Sequence, residues 1–239
     1  MMSINNMIYT VTLNPAYDKT YTVSGFLPGG TNKVHSTSVK TGGKGLNVSR
    51  VLSGFGIPNL ALGIADEIFC AAITREKIRH DFIITQSQVR TNIKISDEKH
   101  GIVTELNETG SNVSPEVFPK IEAKLEEYLK KGDIVIFTGS LPPGAPDDIY
   151  KKWIGLCHRK SVLSILDTSG IALKEGIEAK PYMIKPNLDE LCYLAGRPLI
   201  SISDIQSEAL KIASSGIKKV LVSMGGDGAV LVSGNNVIT

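Results

Sequence analysis

The sequence predicts an α/β fold: a doubly wound, mostly parallel sheet with helices on both faces and a small β-strand flap. Residues 133–137 (DIVIF) form a nearly continuous apolar run, typical of a strand covered on both faces. After residue 114, strand-like and helix-like segments alternate with short links. Two polar strand pairs, from about 18–41 and 90–107, break this alternation, and we expect them to form a flap over one edge of the sheet.

The composition is that of a globular protein and argues against several functional classes. The 239 residues are 42% hydrophobic and 21% charged, with a formal net charge of +2, which indicates neither a nucleic-acid nor a membrane partner. The three cysteines, Cys70, Cys157 and Cys192, fit neither a disulfide framework nor a metal-binding spacing. The N-terminus lacks the regions of a signal peptide, so we expect a cytoplasmic protein.

Local patterns predict the elements of the first half. Residues 8–13 form a β-branched run ended by an Asn-Pro turn, which predicts a strand. Helical spacing of Leu46, Val51, Leu52 and Phe55 predicts a helix over 45–55. The other predicted elements here are a strand over 59–64, a helix over 68–78, and flap strands over 19–23, 34–40, 91–96 and 102–106.

The second half carries clearer helix signals. Ser114 and Pro115 are suited to cap and open a helix over 116–130. Ser203 with Gln206 predicts a capping box at a helix over 204–214. The other predicted elements are helices over 147–158 and 188–195, strands over 161–166, 182–185 and 218–223, and a closing hairpin.

The first candidate site residues follow the first strand and precede the first helix, where ligands of such sheets bind. The carboxylate of Asp18 is suited to accept hydrogen bonds from substrate hydroxyls, and a solvated turn residue is the alternative. Gly42 and Gly43 would let a ligand approach the helix N-terminus, with Lys44 and Asn47 facing it. The spacing is not that of a P-loop, and a tight strand-to-helix turn is the alternative.

Two basic residues near the flap are candidates for binding phosphate. Arg90 stands just before the second flap pair, and Lys33 is predicted within the first. A guanidinium is a forked donor suited to phosphate oxygens, although a single basic residue is more often a solvated surface charge. Ser140 lies in a Pro-rich and Gly-rich turn after the strand at 133–137, which indicates either a rigid turn or a ligand contact.

The last two motifs suggest phosphate and metal chemistry. Lys185 ends a strand, and Asn187 and Glu190 are three residues apart at a helix start. Together they suit hydrated Mg²⁺ and phosphates, while a capping box of Asn187 and Glu190 is an alternative compatible with that role. Ser223, Gly225 and Gly228 follow the strand KKVLVS in a Gly-rich turn, which can bind anionic oxygens or form a simple hairpin turn.

Seven motifs occur in an order that resembles the PfkB (ribokinase-like) carbohydrate kinases, in the branch of 1-phosphofructokinases and tagatose-6-phosphate kinases. They are TLNPAYD, GGKGLNVSRVL, VRTNIKI, FTGSLPPG, LDTSG, IKPNLDE and VSMGGDGA. The resemblance implies a kinase that uses ATP and Mg²⁺ to phosphorylate a sugar phosphate, most simply fructose 1-phosphate to the 1,6-bisphosphate. Tagatose 6-phosphate and fructose 6-phosphate are the alternative substrates.

The resemblance also implies a role for each candidate. Asp18, Gly42, Gly43, Lys44, Asn47 and Ser140 would surround the sugar, and Arg90 with Lys33 would hold its phosphate. Lys185, Asn187, Ser223, Gly225 and Gly228 would contact the nucleotide, and Glu190 would serve Mg²⁺. The flap offers a surface for a homodimer.

The resemblance leaves one expected motif unmatched. Members of the family continue into a Gly-Ala-Gly-Asp motif, whose Asp is the catalytic base, and these 239 residues contain none. Residues 7–239 are therefore expected to be an incomplete kinase domain, with the base beyond Thr239. The alternative function is sugar-phosphate binding without turnover.

Overall fold

The computed structural model describes residues 6–239, which form two sheets and seven α-helices. The larger sheet has nine strands in the order β13-β12-β11-β10-β9-β8-β1-β4-β5, and the flap is a four-stranded sheet in the order β3-β2-β6-β7. The strands are β1 Ile8–Thr12, β2 Ala16–Val23, β3 Ser36–Gly42, β4 Asn59–Ala65, β5 His80–Ile84, β6 Arg90–Asp97, β7 Ile102–Asn107, β8 Ile134–Thr138, β9 Leu163–Asp167, β10 Met183–Ile184, β11 Lys219–Ser223, β12 Ala229–Ser233 and β13 Asn236–Ile238. The helices are α1 Lys44–Gly54, α2 Glu67–Arg75, α3 Val117–Tyr128, α4 Ile149–Arg159, α5 Gly170–Glu178, α6 Leu188–Ala195 and α7 Ile202–Ser214.

In the large sheet, strands β5, β4, β1, β8, β9, β10 and β11 pair in parallel, each with the next in this order. The pairs β11–β12 and β12–β13 are antiparallel. The carboxyl ends of the parallel strands therefore lie along one edge, and the turns that follow β1, β8, β9, β10 and β11 meet there. This arrangement confirms the predicted doubly wound α/β sheet with a separate flap.

Strand β4 shows that helices cover both faces of the sheet. Leu60, Leu62 and Ile64 belong to the large hydrophobic cluster that includes α3 and α4, whereas Ala61 and Ala65 belong to a second cluster with α1 and α2. Successive side chains of a strand point to opposite faces, so the two clusters lie on opposite sides of the sheet.

Helix α1 packs on the sheet through Leu46 and two small residues. Its buried residues are Gly45, Leu46 and Ser49, while Val51 and Phe55 are 57% and 78% exposed. A Cβ on Gly45 would lie 2.3 Å from Oγ1 of Thr12, so the helix approaches β1 more closely than a larger residue would allow. The predicted helix is confirmed, and of its predicted apolar positions Leu46 is buried while Val51 and Phe55 are exposed.

Two predicted helix caps are wrong. Helix α7 begins at Ile202, and its capping box pairs Ser201 with Asp204 instead of Ser203 with Gln206. Helix α3 begins at Val117 with Glu116 as its N-cap residue and has no side-chain cap. The start of α7 offers Ser201, Ser203 and Asp204 within four residues, so the sequence alone does not single out its cap.

Candidate active site

A cleft of about 340 Å³ separates the flap from the carboxyl edge of the large sheet. Alternation along β2 and β6 points Asp18, Thr20, Asn92 and Lys94 to the same face of the flap, and all four line this cleft. Its remaining lining residues are Gly43, Lys44, Asn47, Arg90, Ile93, Glu105 and Asn107. The structure thus brings Asp18, Gly43, Lys44, Asn47 and Arg90 to one cavity.

The carboxylate of Asp18 is held by its two flap neighbours. Nδ2 of Asn92 donates a hydrogen bond to Oδ1 of Asp18 at 3.0 Å. On the other side, a Cβ on Gly42 would lie only 2.1 Å from Oδ2 of Asp18. Gly42 is therefore required by this close approach, and it leaves the carboxylate oriented in the cleft.

Gly43 shapes the entry into α1 by a different property. Its φ of 126° is a conformation that residues with a side chain rarely adopt, and a Cβ would also lie 2.9 Å from Cγ2 of Thr12. This turn places Lys44 at the first position of α1 and Asn47 one turn later, both beside the cleft.

Arg90 is half-buried at the end of the cleft nearest the large sheet. Its Nη1 donates to the carbonyl of Glu108 at 2.6 Å, and its Nη2 donates to the carbonyl of Asn14 at 3.3 Å. Its Nε is buried and has no hydrogen-bond partner among residues 6–239. Burial lowers the pKa of Arg90, while Asp18 and Glu108 oppose that shift, and a guanidinium remains charged at neutral pH. Among the described residues nothing accepts the second N–H of either Nη, so two donors are free for an anion.

Ser140 is tied to Arg90 through Asn14. The side-chain amide of Asn14 donates to Oγ of Ser140 at 3.2 Å and to the carbonyl of Thr109 at 2.9 Å. Ser140 is an acceptor in that bond, so its own hydroxyl proton is available to a ligand. Asn14 is buried and was not predicted as a site residue, although the motif that contains it was recognised.

Lys33 is not brought to this cleft. It is exposed in the connection between β2 and β3, whereas Arg90 pairs with Ala16 at the opposite end of β2. The pairing of β2 with β3 runs from Ala16 to Thr22, so about six residues of strand, or roughly 20 Å, separate Lys33 from Arg90. The predicted strand over 34–40 starts later, at Ser36, and leaves Lys33 in a loop.

Asp167 joins the two halves of the site. Its Oδ1 lies 3.3 Å from Nζ of Lys44 and 3.3 Å from Nζ of Lys185, and its Oδ2 accepts a hydrogen bond from Thr138 at 3.1 Å. The side chain of Asp167 is 12% exposed, while the two lysines are 50% and 37% exposed. One buried carboxylate therefore holds a lysine from α1 beside a lysine from the end of β10.

The second group of predicted residues lies beyond Lys185. Asn187 and Glu190 form the capping box of α6, with Oδ1 of Asn187 accepting from the Glu190 amide and Oε2 of Glu190 accepting from the Asn187 amide. A parallel bridge pairs Asn187 with Ser223. The turn after Ser223 contains Gly225 and Gly228 with φ values of 60° and 89°.

Residues 10–239 match the pfkB family of carbohydrate kinases. The chain belongs to this family. It is 37% identical over 231 residues to the 1-phosphofructokinase of Bacillus subtilis, covering 94% of this chain and 74% of that protein. It is 33% identical over 238 residues to the 1-phosphofructokinase of Haemophilus influenzae, covering 97% of this chain and 75% of that protein.

Solved pfkB structures share the fold. Phosphofructokinase-2 from Escherichia coli in complex with fructose-6-phosphate superposes with a TM-score of 0.91 at 28% identity, covering 98% of this chain and 79% of that one. The tetrameric inhibited form of the same enzyme gives a TM-score of 0.90 at 28% identity, covering 98% and 78%. The predicted family, fold and enzyme class, a carbohydrate kinase, are confirmed.

Two residues of the candidate site, Asp167 and Asn14, were not predicted from the sequence. Asp167 sits in the motif LDTSG, and Asn14 sits in a turn before proline. Their partners are 18 to 127 residues away in the chain, so no local spacing identifies them. The one available signal was their position immediately after strands that were correctly predicted.

Proposed function

We propose that the cleft binds fructose 1-phosphate, which the enzyme phosphorylates with ATP to fructose 1,6-bisphosphate. The observation that carries the proposal is the half-buried guanidinium of Arg90, whose two Nη atoms each keep one N–H donor that no described residue accepts, at one end of a polar cleft. A buried cation with free donors favours a substrate that already carries a phosphate group. The relatives named 1-phosphofructokinase favour the fructose 1-phosphate assignment over fructose 6-phosphate or tagatose 6-phosphate.

In this proposal, different residues along the cleft bind the phosphate and the sugar of the substrate. Arg90 and the hydroxyl of Ser140 bind the phosphate, because Asn14 holds both near each other. The Asp18 carboxylate accepts hydrogen bonds from sugar hydroxyls, and Asn47 donates to a sugar oxygen from the opposite wall. Lys44 lies between these groups and the nucleotide side.

On the nucleotide side of the site, we propose that Mg²⁺ binds together with ATP and has few protein ligands. Residues 6–239 contain no group of three or more His, Cys, Asp or Glu side chains arranged to hold a metal ion. Mg²⁺ in kinase sites keeps several waters and is bound by one or two carboxylates together with substrate phosphates, so the single carboxylate of Glu190 is suited to it. Oε2 of Glu190 is used in the capping box, which orients the side chain and leaves Oε1 available. Bound Mg²⁺ would neutralise charge on the transferred phosphate.

We assign the nucleotide phosphates to the residues around this carboxylate. Lys185 supplies a positive charge, and Asn187 and Ser223 are brought together by their bridge. The turn with Gly225 and Gly228 then lets phosphate oxygens approach the backbone.

Sugar-phosphate binding without turnover is the second candidate function. All of the proposed sugar-phosphate contacts lie within residues 14–140, separate from the proposed nucleotide contacts at 185–228. Binding and turnover therefore need separate measurements.

The test combines calorimetry with a coupled ADP-release assay on the same preparation. We expect fructose 1-phosphate to bind more tightly than fructose 6-phosphate or tagatose 6-phosphate, and we expect Arg90→Met to reduce that affinity about 10- to 100-fold. Lys94→Met is the matched control, since Lys94 lines the same cleft but pairs with Glu105. Equal binding by Arg90→Met and wild type would refute the phosphate assignment. Binding without ADP release would support the second candidate.

We also infer that two copies of the chain pair through the outer face of the flap. The strand pairing places Tyr21, Val39, Ile95 and Leu106 on the face turned away from the cleft. Val39 and Leu106 are 55% and 53% exposed, so this face is an apolar surface without a covering element among residues 6–239. Sedimentation velocity tests this: Leu106→Asp should convert a dimer to a monomer, and a wild-type monomer at micromolar concentration would contradict the inference.

A further inference from the structure

Arg50 links the sugar cleft to the base of the flap through four hydrogen bonds. Its Nη1 donates to Oδ1 of Asn47 at 2.6 Å. Its Nη2 contacts the carbonyl of Thr41 at 2.9 Å, Oγ1 of Thr41 at 3.0 Å and Oε2 of Glu76 at 2.6 Å. Oγ1 of Thr41 in turn donates to Oε1 of Glu76 at 2.6 Å. The cluster therefore contains the end of β3, the helix α1 and the residue that ends α2.

Glu76 fixes the orientation of the guanidinium. Burial raises the pKa of the Glu76 carboxyl, but hydrogen bonds from Arg50 and Thr41 outweigh that effect and lower it, so Glu76 is ionised at neutral pH. The carboxylate receives Arg50 on one oxygen and Thr41 on the other. A charged acceptor of this kind holds a planar, forked donor in one arrangement.

The contact with Asn47 determines which way its side-chain amide faces. A guanidinium only donates hydrogen bonds, so the atom of Asn47 that meets Arg50 is the carbonyl oxygen Oδ1. The amide nitrogen Nδ2 then lies on the other branch of the side chain, and none of residues 6–239 accepts a hydrogen bond from it. Asn47 lines the cleft between the flap and the large sheet, where a free N–H₂ group offers two donors to a ligand.

We propose that Arg50 is a positioning residue for the sugar: it holds Oδ1 of Asn47 so that Nδ2 donates to an oxygen of the bound sugar phosphate. Arg50 does not contact the ligand and acts only through Asn47. This role rests on the proposed function of the cleft and deepens it, because it assigns the recognition of a sugar oxygen to a donor rather than to an acceptor. Without Arg50, the amide of Asn47 can rotate and present either its oxygen or its nitrogen.

A double-mutant cycle on fructose 1-phosphate binding tests this, with affinities from calorimetry. Lysine cannot reproduce the forked contacts, so Arg50→Lys should weaken binding about 3- to 10-fold, the effect of one hydrogen bond. Asn47→Ala removes the donor and should weaken binding about 10-fold. The double variant should bind like Asn47→Ala alone, because Arg50 then has nothing to position. Lys151→Met, which removes two ion pairs between α4 and α5, is the control and should bind like wild type.

Each outcome of the cycle either supports or overturns the positioning role of Arg50. If the loss of affinity in the double variant equals the product of the two single losses, Arg50 acts independently of Asn47 and the proposal is overturned. Wild-type affinity in Arg50→Lys would overturn it as well. If wild type itself does not bind fructose 1-phosphate, the proposed function fails and this inference fails with it. If Arg50→Lys does not fold, as judged by circular dichroism, the same cycle is run with Glu76→Gln, which weakens the grip on Arg50 and should again have no effect in the Asn47→Ala background.

Discussion

Asp167→Asn is the most informative substitution in the chain because one carboxylate separates two cationic side chains. Both ammonium groups contact the same oxygen of Asp167, each at 3.3 Å. The substitution keeps the shape of the side chain and its contact with Thr138, but it removes the charge that both lysines face. The variant therefore measures the electrostatic role of Asp167 with little change in packing.

The magnitude follows from the geometry. Two nitrogens that share one oxygen are roughly 6 Å apart, so at an effective dielectric constant of 20 their repulsion is about 2–3 kcal/mol. Lys44 and Lys185 are 50% and 37% exposed, so solvent screening reduces this to about 1–2 kcal/mol. For a chain of this size, we expect Asp167→Asn to lower the melting temperature by about 2–8 °C.

Differential scanning calorimetry at low and high salt checks the cause. Added salt screens the repulsion between the lysines and should narrow the difference from wild type. Lys185→Met in the Asp167→Asn background removes one of the two charges and should recover part of the loss. Glu178→Gln, which loses one exposed contact with Lys151, is the matched control and should melt at the same temperature as wild type.

Two results would refute this reasoning. An unchanged melting temperature of Asp167→Asn would show that the lysines do not depend on the carboxylate. A loss that persists at high salt and is not recovered by Lys185→Met would show that repulsion is not its cause.

Three further predictions concern the glycines and the far end of the flap. Gly42→Ala places a Cβ 2.1 Å from the Asp18 carboxylate, so calorimetry should show at least a 10-fold loss of fructose 1-phosphate affinity; an unchanged affinity would mean that this contact is relieved without displacing the carboxylate. Gly225→Ala meets no atom within 4 Å but has a φ of 60°, so urea unfolding should show a loss of about 1 kcal/mol from backbone strain alone. Gly54→Ala, in open space within α1, is its control and should be neutral or stabilising. At the far end of the flap, His100 first, and then the amides of Gly25 and Phe26, lower the pKa of Asp97. Because the pKa of Asp97 is lower in the folded state, its ionised carboxylate stabilises the fold fully above the pKa of the unfolded state, about 3.9. This stabilisation is lost as the pH falls below that pKa. Hydrogen exchange at the Gly25 amide should therefore stay slow from pH 7 to about pH 4 in wild type and be fast at pH 7 in Asp97→Asn; slow exchange in that variant would contradict the assignment.

The sequence predicts the sheet and the flap well because their signals are local. The apolar run at 133–137 becomes β8, and the two polar strand pairs become β2 with β3 and β6 with β7. At α1 the apolar spacing predicts the helix but not which residues it buries: Leu46 is buried, whereas Val51 and Phe55 are exposed. Gly45 and Ser49 are also buried, because a close approach to β1 favours small residues. The spacing of apolar residues in a sequence does not indicate how closely a helix packs on a strand.

The candidate site shows the same division between local and long-range information. Arg90 and Lys33 are equally plausible phosphate ligands in the sequence, since each is one basic residue beside a predicted flap strand. Only the pairing of β2 with β3 and β6 separates them, by placing Arg90 at the sheet end of the flap and Lys33 at the far end. Register is set by tertiary packing, so the choice between the two residues required the structure.

The positions of Asp167 and Arg50 explain how a site divided between a flap and a sheet can keep one geometry. Asp167 ties α1 to the end of β10 through two lysines, and Arg50 ties α1 to the base of the flap through Thr41 and Glu76. Helix α1 therefore takes part in both sets of contacts, and it carries Lys44 and Asn47 on its first turn. Movement of the flap relative to the sheet would have to break contacts of α1 on one side or the other. It follows that Asp167→Asn and Arg50→Lys should affect different ligands: the first should alter nucleotide binding through Lys185, and the second should alter only sugar-phosphate binding through Asn47.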